Sequence, residues 1–372
     1  MNGNSIGKAL VFTCFGESHG SLIGAIIDGC PAGLPLKEED VQIELNKRRP
    51  GFTRISTPRR EEDKVEIVSG VYRGYTTGAP ICMIVRNRDV KSKPYETVMI
   101  KPRPGHADYT AKIKYGGYND PRGGGRFSGR ITAAYVMVGA IAKKLLSLIG
   151  VEVLAHTVQI GNISVKNEVS YEDIRRNVYS NPVRCAIPEV AERMMEEILR
   201  ASSEGDSVGG VVEGIALNVP AGLGEPVFDS LDSDIAKMLF NIPAVKGVEF
   251  GAGFRIASMR GSEANDQYAI RDGKIITITN NAGGILGGIS NGMPIKVRVA
   301  FKPTPSIAKR QRTVNLKTMR EEDIEIAGRH DPCIVPRAVP VVEACLAFVL
   351  ADHALRSDKI SRIIRSDRPK KL

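Results

Sequence analysis

The N-terminal part of the chain alternates short apolar runs with glycine-rich turns, a pattern typical of strands. Residues 9–15 and 21–29 read as two short strands around the turn Gly16-Glu-Ser-His-Gly20. Residues 65–71 and 79–86 are rich in β-branched residues and are joined by glycine and threonine. This second pair predicts a β-hairpin.

Two longer apolar stretches predict helices of the protein interior. Residues 131–149 are apolar except for Lys143 and Lys144, and residues from about 339 to 356 form a similar stretch. Because the two lysines interrupt it, the first stretch falls short of the ~20 apolar residues that span a membrane. We expect both stretches to be core helices, in a protein without membrane contact.

Three shorter elements and one long loop complete the pattern. Lys37–Lys47 and residues 188–201 read as helices, and residues 151–165 read as a strand. Residues 88–122 are polar and irregular. Loops of that length inside a compact domain are usually either functional or disordered.

The pattern then recurs along the chain. Gly16-Glu-Ser-His-Gly20 matches Gly205-Asp-Ser-Val-Gly209, and Pro31-Ala-Gly-Leu34 matches Pro220-Ala-Gly-Leu223, both at an offset of 189 residues. An amphipathic stretch follows each pair of turns, and a long apolar helix closes each half. Chance recurrence of glycine and proline turns is the alternative, but the shared order of the matches favours an internal duplication.

A duplication predicts one α+β domain over residues 1–372, with two halves of similar topology at about 5–150 and 205–356. The paired strands are separated by short glycine turns, which join antiparallel strands. We therefore expect mainly antiparallel sheets flanking the two long helices. Since Val208 stands where the first copy has His19, the turn is a structural element and the histidine is an addition to it.

Composition adds a strong positive charge to this picture. The net charge is +10, which suits nucleic acid, an anionic membrane surface or a small polyanionic ligand. Aromatic residues make up only 5% of the chain, so stacking platforms for bases are few. The six cysteines lack the spacing of a zinc site or a disulfide framework. Together with an N-terminus that lacks a signal-peptide core, they favour a cytoplasmic protein without a bound metal.

The densest chemistry precedes the first long helix, in Arg122-Gly-Gly-Gly-Arg-Phe-Ser-Gly-Arg130. Its three consecutive glycines expose backbone N–H groups and tolerate positive φ, and its three arginines add fixed charge. Ser128 is placed to cap the helix that follows. Such a loop at a helix N-terminus is typical of anion sites. A glycine-rich turn with solvated arginines is the alternative.

Two histidines stand in turns where they could act as general acids near neutral pH. His19 lies in the first glycine turn, and a histidine bonded only within that turn is the alternative. His106 lies in Lys101-Pro-Arg-Pro-Gly-His-Ala-Asp-Tyr109, where the prolines stiffen the loop and Asp108 is placed to orient the imidazole. A solvated loop is the alternative there.

A basic loop and three loops of the second half are further candidates. The basic loop carries five arginines that could bind carboxylate or phosphate, or form a solvated face: Arg48, Arg49, Arg54, Arg59 and Arg60. Asn281–Ile289 has four glycines and suits a flat group, or is a plain hairpin. Lys302-Pro-Thr-Pro-Ser306 offers an ammonium and two hydroxyls. Gly328-Arg-His-Asp-Pro-Cys333 places an arginine that could bind an anion beside a histidine and an aspartate that could act as base and acid. A charged loop before a helix is the alternative.

Seven of these stretches, in order, resemble the chorismate synthase family. The resemblance covers nearly the whole chain, from about residue 5 to 355. The stretches are Gly16–Gly20, Arg48–Gly51, Arg103–Tyr109, Arg122–Arg126, Gly287–Ser290, Lys302–Thr304 and Gly328–Cys333.

The resemblance implies a lyase that converts 5-enolpyruvylshikimate 3-phosphate to chorismate and phosphate by 1,4-anti elimination, the last step of the shikimate pathway. It implies a need for reduced FMN without net redox change, the flavin lending an electron and later taking up the hydrogen from C6. It also implies a β-α-β sandwich and a homotetramer. The flavin is reduced either with NADPH by the enzyme itself or by a separate flavin reductase.

The resemblance also assigns roles to residues. His19 is the general acid beside Arg48, His106 lies at the flavin, and Asp331 helps to relay a proton at flavin N5. The polyanionic substrate, or NADP, is bound by Arg48, Arg54 and Arg130. The flavin is held by Arg126, Phe127, Ser128, Gly287, Lys302, Pro303, Thr304, Pro305, Ser306 and Arg329. A basic nucleic-acid-binding protein is the competing function, but the polyanionic substrate accounts better for a basic chain with few aromatic residues.

Three positions depart from the commoner family pattern. Phe127 and Pro305 stand where many relatives have serine, so hydroxyl contacts are not carried over to them. Pro243 stands where relatives often have asparagine, and a flavin contact near it is not carried over either.

Overall fold

The structure is a computed structural model that describes residues 3–49, 55, 61–88, 97–326 and 331–365. Its α-helices are α1 Glu38–Arg48, α2 Asp108–Tyr115, α3 Thr132–Ser147, α4 Tyr171–Asn177, α5 Pro188–Ser203, α6 Leu231–Phe240, α7 Gly261–Ala264 and α8 Val335–Arg356. Its strands are β1 Ser5–Ile6, β2 Val11–Gly16, β3 Leu22–Asp28, β4 Val65–Ser69, β5 Val71–Tyr72, β6 Tyr75–Thr76, β7 Ile81–Arg86, β8 Glu152–Ile160, β9 Ile163–Ser164, β10 Gly210–Leu217, β11 Val245–Phe250, β12 Tyr268–Arg271, β13 Lys274–Thr277, β14 Ile285–Leu286, β15 Ile289–Ser290, β16 Ile295–Phe301, β17 Gln311–Asn315 and β18 Arg320–Ile324.

Two five-stranded antiparallel sheets form the framework, as the sequence predicted. The strand order is β1-β2-β3-β7-β4 in the first sheet and β11-β16-β10-β8-β9 in the second. The predicted hairpin of the first half is confirmed in outline, because β4 and β7 pair in antiparallel register. Mixed helices and antiparallel sheets make the fold α+β.

The second sheet begins earlier in the chain than the predicted second half. Strand β8 pairs with β10 along its length, with Ala155 opposite Gly214. Its residues therefore belong to the second sheet although they precede residue 205. In the second sheet β8 lies next to β10, as β2 lies next to β3 in the first sheet. Strands β8 and β2 therefore occupy equivalent positions in the two strand orders.

Helices α3 and α8 pack against each other and bury nearly all of their residues. Helix α3 contacts strands of the first sheet and α8 contacts strands of the second. The closest approach is at Gly139, where an added Cβ atom would lie 2.2 Å from Cβ of Ala344. A small residue at this crossing therefore sets the distance between the two helices.

Both long helices confirm the apolar pattern, with shifted ends. Helix α3 runs from 132 to 147, and α8 starts at 335 rather than at 339. The earlier start is compatible with Pro336, because backbone N–H groups in the first turn of a helix have no hydrogen-bond partner within the helix. Proline, which lacks this N–H, is therefore tolerated there. Helix α8 is long and apolar enough to cross a membrane, but the protein buries it completely, which is typical of a core helix.

Within the polar segment before α3, the structure describes residue 88 and residues 97–122, and these include a helix. Residues 108–115 form α2, which the sequence did not predict, and Gly116 ends that helix in the left-handed conformation. The segment is tied to the second half, since Leu316 donates its backbone N–H to Ile100 O at 2.9 Å. It thereby forms one wall of the cleft described next.

Candidate active site

A cleft of about 630 Å³ opens at the N-terminal ends of α3 and α8. Its walls come from the loop around His106, the glycine-rich loop before α3, the loop after α6 and the loop after β16. The volume lies in the range of small-molecule and cofactor sites, about 300–1,000 Å³. Both helices therefore direct the positive ends of their dipoles towards the same space.

The glycine-rich loop is shaped by three successive positive φ angles, at 59° for Gly123, 84° for Gly124 and 51° for Gly125. A Cβ atom on Gly123 would lie 2.0 Å from Nδ1 of His19. Glycine is therefore required here for conformation and for close approach. Ser128 caps the short 3-10 turn Gly129–Ile131 that leads into α3, because its Oγ accepts a hydrogen bond from the backbone N–H of Arg130 at 3.2 Å. It does not cap α3 itself, whose N-cap residue is Ile131.

His19 is buried in the cleft wall beneath this loop. Its Nδ1 lies 3.2 Å from Oγ of Ser18, and the backbone N–H of Ser18 donates to Gly125 O at 3.2 Å. The turn that carries His19 is thus attached to the loop that precedes α3. The sequence predicted the turn and the loop separately, and the structure brings them together.

His106 is held by a buried carboxylate, as the sequence suggested. Its Nδ1 lies 2.6 Å from Oδ1 of Asp108, and Arg103 forms a bidentate pair with the same carboxylate at 2.7 Å for each contact. Burial opposes ionisation of Asp108, but the hydrogen bonds from Arg103 and His106 outweigh it and hold the pKa of Asp108 well below its usual range. The carboxylate assigns the proton to Nδ1 and leaves Nε2 facing Gly124.

Arg130 has hydrogen-bond partners for two of its three guanidinium nitrogens. Its Nε donates to Oδ1 of Asn87 at 2.9 Å, and one terminal nitrogen, Nη1, contacts Oδ1 of Asp63. The other terminal nitrogen, Nη2, is buried and has no hydrogen-bond partner among the described residues. Glu61 Oε2, at 3.8 Å from Nη2, is within ion-pair distance only. Buried donors are normally paired, so this nitrogen is suited to a bound anion.

Arg48 lines the same cleft but points its donors into the protein. Its Nε donates to Thr132 Oγ1 at 2.8 Å, and its two terminal nitrogens donate to Asp63 Oδ2 and to Gly129 O, each at 3.0 Å. Its side chain is only 1% exposed. Arg48 therefore fixes the start of α3, and its contact with substrate remains a prediction.

Arg126, predicted at the flavin, also lines the cleft while bonding to backbone carbonyls. Its Nη1 donates to Gly16 O at 2.9 Å, and its Nη2 donates to Cys14 O at 3.1 Å. The neighbouring Phe127 is 38% exposed and presents its ring to the cleft. The loop thus offers charge and an apolar surface side by side.

The loop after β16 supplies the opposite wall, with all of its predicted residues except Pro303 lining the cleft. Lys302 Nζ contacts Gly105 O, and burial together with nearby Lys246 lowers the pKa of Lys302. Thr304 Oγ1 is buried and has no hydrogen-bond partner among the described residues. Ser306 Oγ accepts from Arg103 at 3.1 Å.

Asp331 lines the cleft at the approach to α8, where its carboxylate contacts Arg337. Asp331 was predicted from the sequence as a site residue, whereas Arg337, which also lines the cleft, was not. An arginine in the first turn of a largely apolar helix was the available signal.

Besides Pro303, three predicted residues are not among those that the structure brings to the cleft. Gly287 lies in the β14–β15 hairpin, where its neighbour Gly288 accepts a hydrogen bond from the N–H of Leu231 at 2.8 Å, and it does not line the cleft. Arg54 and Arg329 lie outside the described residues. Across the described part of the chain, no group of three His, Cys, Asp or Glu side chains could hold a metal ion.

Sequence comparisons agree with the stretches identified above. The model of the family described as chorismate synthase matches residues 10–355. The chorismate synthase of Korarchaeum cryptofilum is 57% identical over 357 residues, which cover 96% of this chain and 99% of that protein. The chorismate synthase of Methanocella arvoryzae is 56% identical over 363 residues, covering 98% of this chain and 97% of that protein.

A comparison of folds gives the same result. A crystal structure of a chorismate synthase superposes with a TM-score of 0.76 at 35% identity. The match covers 95% of this chain and 93% of the other.

Proposed function

The chain belongs to the chorismate synthase family, a family of lyases, and we propose that the cleft at the N-terminal ends of α3 and α8 is where it acts. The reaction is the 1,4-anti elimination of phosphate from 5-enolpyruvylshikimate 3-phosphate to give chorismate. The C3–O bond to phosphate breaks, a hydrogen leaves C6, and the ring gains a double bond. The product feeds the synthesis of aromatic amino acids.

The buried Nη2 of Arg130, which has no hydrogen-bond partner among the described residues, is the observation that best supports this location. The substrate carries two carboxylates and a phosphate, so a site for it must supply fixed donors. Arg130 is 5% exposed and is held from behind by Asp63 and Asn87, so its Nη2 is pre-organised for an anion. The two helix N-termini add positive potential in the same space. Arg48 and, by resemblance, Arg54 complete the proposed binding set for substrate or NADP.

The departing phosphate needs a proton and neutralisation of its charge. We propose that His19 donates that proton, because it lies in the same cleft wall as Arg130 and is fixed against the glycine-rich loop. His106, oriented by Asp108, is the proposed group at the flavin, and Asp331, held by Arg337, is the proposed proton relay on the other wall.

The residues present fit a flavin. The buried hydroxyl of Thr304 lacks a partner among the described residues, and Phe127 adds an apolar surface. When bound, reduced FMN would lend an electron to the allylic system and would regain it with the hydrogen atom that leaves C6. Of the residues that the resemblance assigns to it, we propose as its holders those that line the cleft: Arg126, Phe127, Ser128, Lys302, Thr304, Pro305 and Ser306. Pro303, Gly287 and Arg329 stay proposals that rest on the resemblance alone.

An anaerobic assay tests this function directly. Purified protein is mixed with reduced FMN and 5-enolpyruvylshikimate 3-phosphate, and phosphate release is followed. We expect Arg130→Ala to lower kcat/KM by at least ~100-fold, because a buried charge-assisted contact is lost. Arg86→Ala is the matched control, since Arg86 is a surface arginine paired with Glu66 at 2.9 Å. Wild-type turnover by the Arg130→Ala variant would show that the proposed location of the active site in this cleft is wrong.

The competing function, nucleic-acid binding, makes a different prediction. It requires affinity for DNA or RNA that falls steeply with salt concentration and is indifferent to FMN. Filter binding across a salt series, with and without FMN and substrate, separates the two.

We further propose that the protein is a cytoplasmic homotetramer whose β-α-β sandwich contains two topologically similar halves. The matching strand orders of the two sheets support the sandwich, and superposition of the halves tests it. Exposed apolar side chains support self-association, among them Phe228 at 92%, Phe254 at 84% and Ile270 at 81% exposure. Light scattering should give four times the chain mass, and Phe254→Asp should lower it if that side chain lies in an interface.

Reducing equivalents have two candidate sources, NADPH used by the enzyme itself and a separate flavin reductase. Consumption of NADPH by the purified protein with FMN and substrate distinguishes them.

A further inference from the structure

Asp63 is a buried carboxylate that the proposed reaction involves only as a support behind Arg130. It precedes β4, and its side chain has no exposed surface. Its backbone adopts the left-handed conformation, with φ at 47°, which is uncommon outside glycine. Gln42 Nε2 donates to its carbonyl oxygen at 3.1 Å and thereby fixes the backbone against α1.

The two carboxylate oxygens of Asp63 serve two different arginines. Oδ2 accepts from Arg48 at 3.0 Å, and Oδ1 contacts Nη1 of Arg130. Two guanidinium groups packed this closely would repel each other without an anion between them. The carboxylate therefore keeps both arginines in place, although each arginine belongs to a different element.

Asn87 completes the support of Arg130 and connects it to His19. Its Oδ1 accepts from Nε of Arg130 at 2.9 Å, while its Nδ2 donates to Glu17 O at 3.0 Å and to Gly20 O at 2.8 Å. One amide thus holds the turn that contains His19 on one side and the guanidinium on the other. The relative position of the proposed acid and the proposed anion binder depends on this residue.

We propose that Asp63 and Asn87 are positioning residues that orient Arg130 so that its Nη2 faces the substrate anion. This inference rests on the proposed function of Arg130. Asn87 accepts from Nε and Asp63 accepts from one N–H of Nη1, so Nη2, which has Glu61 Oε2 at ion-pair distance, is the nitrogen of Arg130 without a hydrogen-bond partner among the described residues. Neither residue needs to touch the substrate to set the geometry of the contact.

Asp63→Asn changes the hydrogen bonds to the two arginines but keeps the shape of the side chain. An amide replaces one acceptor oxygen by a donor, so it cannot accept from both arginines at once. We expect kcat/KM to fall by at least ~10-fold, chiefly through a higher KM, because Arg130 loses its alignment. Glu66→Gln is the matched control, because it makes the same change in the carboxylate that pairs with the surface residue Arg86, and it should leave kcat/KM unchanged.

Asn87→Ala provides a second variant that does not place an unpaired charge in the interior. It should also raise KM, and it remains informative if Asp63→Asn does not fold. Unfolding temperature and circular dichroism of both variants report any general loss of structure.

A double-mutant cycle with Arg130→Ala decides the proposal. If each residue acts through Arg130, Asp63→Asn should change kcat/KM by less than about threefold in the Arg130→Ala background, and Asn87→Ala should lose most of its effect there. Equal effects in both backgrounds would mean general structural roles and would overturn the inference. An Arg130→Ala variant with wild-type kcat/KM would instead refute the proposed function of Arg130.

Discussion

Thr304→Val should change flavin affinity and protein stability in opposite directions. The hydroxyl of Thr304 is buried in the cleft and has no hydrogen-bond partner among the described residues. Valine has nearly the same shape but no polar atom. In the protein without ligand, the substitution removes an unsatisfied group. In the complex, it removes a hydrogen bond that the flavin would otherwise make.

The two effects have similar sizes. A buried hydroxyl without a partner costs roughly 1–3 kcal/mol, so the free energy of unfolding without ligand should rise by about 1 kcal/mol. A neutral hydrogen bond contributes about 1 kcal/mol net to the complex. Added to the gain of about 1 kcal/mol in the free protein, its loss weakens binding by about 2 kcal/mol, so the Kd for FMN should rise about 30-fold.

Two measurements on one preparation test this expectation. Denaturant unfolding without ligand gives the stability, and flavin fluorescence in the presence of substrate gives the affinity. Thr157→Val is the control, because the buried hydroxyl of Thr157 already donates to Val183 O at 2.7 Å, so its loss should destabilise the protein and leave FMN binding unchanged. An unchanged Kd for FMN together with raised stability would refute a contact between Thr304 and the flavin.

Two further predictions concern the core and the His106 loop. Gly139→Ala should destabilise the protein by about 1–2 kcal/mol despite its better helix propensity, because the new methyl group overlaps Ala344, whereas Gly261→Ala, with nothing within 4 Å, should be nearly neutral in denaturant unfolding. Asp108→Asn should cost about 3 kcal/mol at pH 7, because it breaks a buried ion pair. Since the pKa of Asp108 is lowered in the folded state, its contribution is present above its ordinary pKa of about 4 and is lost as pH falls further, so unfolding curves of wild type and variant should converge towards acid pH. A constant difference down to pH 3 would contradict that reasoning.

The long helices and the paired strands were predictable because their signal is local. Residues 131–149 contain no charged side chains apart from two lysines. Of these, Lys143 forms ion pairs with Glu44 and Glu343 at 2.7 and 2.5 Å. Helix α2 was missed because it is short and polar on most of its surface. Its ends are set by local turns that a hydrophobic pattern does not register.

The site was only partly predictable, because the sequence reveals residue types but not their partners. His19, His106 and Arg130 were found from glycine turns and charge, and the structure brings them into one cleft. The buried ion pair of Arg48 could not be predicted, because its carboxylate partner, Asp63, lies on a different element. In the sequence, Asp63 resembles any surface acid. A residue's partners are decided by tertiary packing, which no local pattern contains.

The packing of α3 against α8 also has a consequence for the timing of folding. Gly139 and Ala344 touch although about 200 residues separate them, and contacts so distant in sequence form slowly. A ribosome adds about 5–20 residues per second, so α3 is complete roughly 10–40 seconds before α8 exists. During that interval the apolar face of α3 that α8 will cover has no partner from its own chain. A nascent chain stalled before residue 335 should therefore bind chaperones or aggregate, and in refolding the recovery of activity should lag behind the recovery of secondary structure.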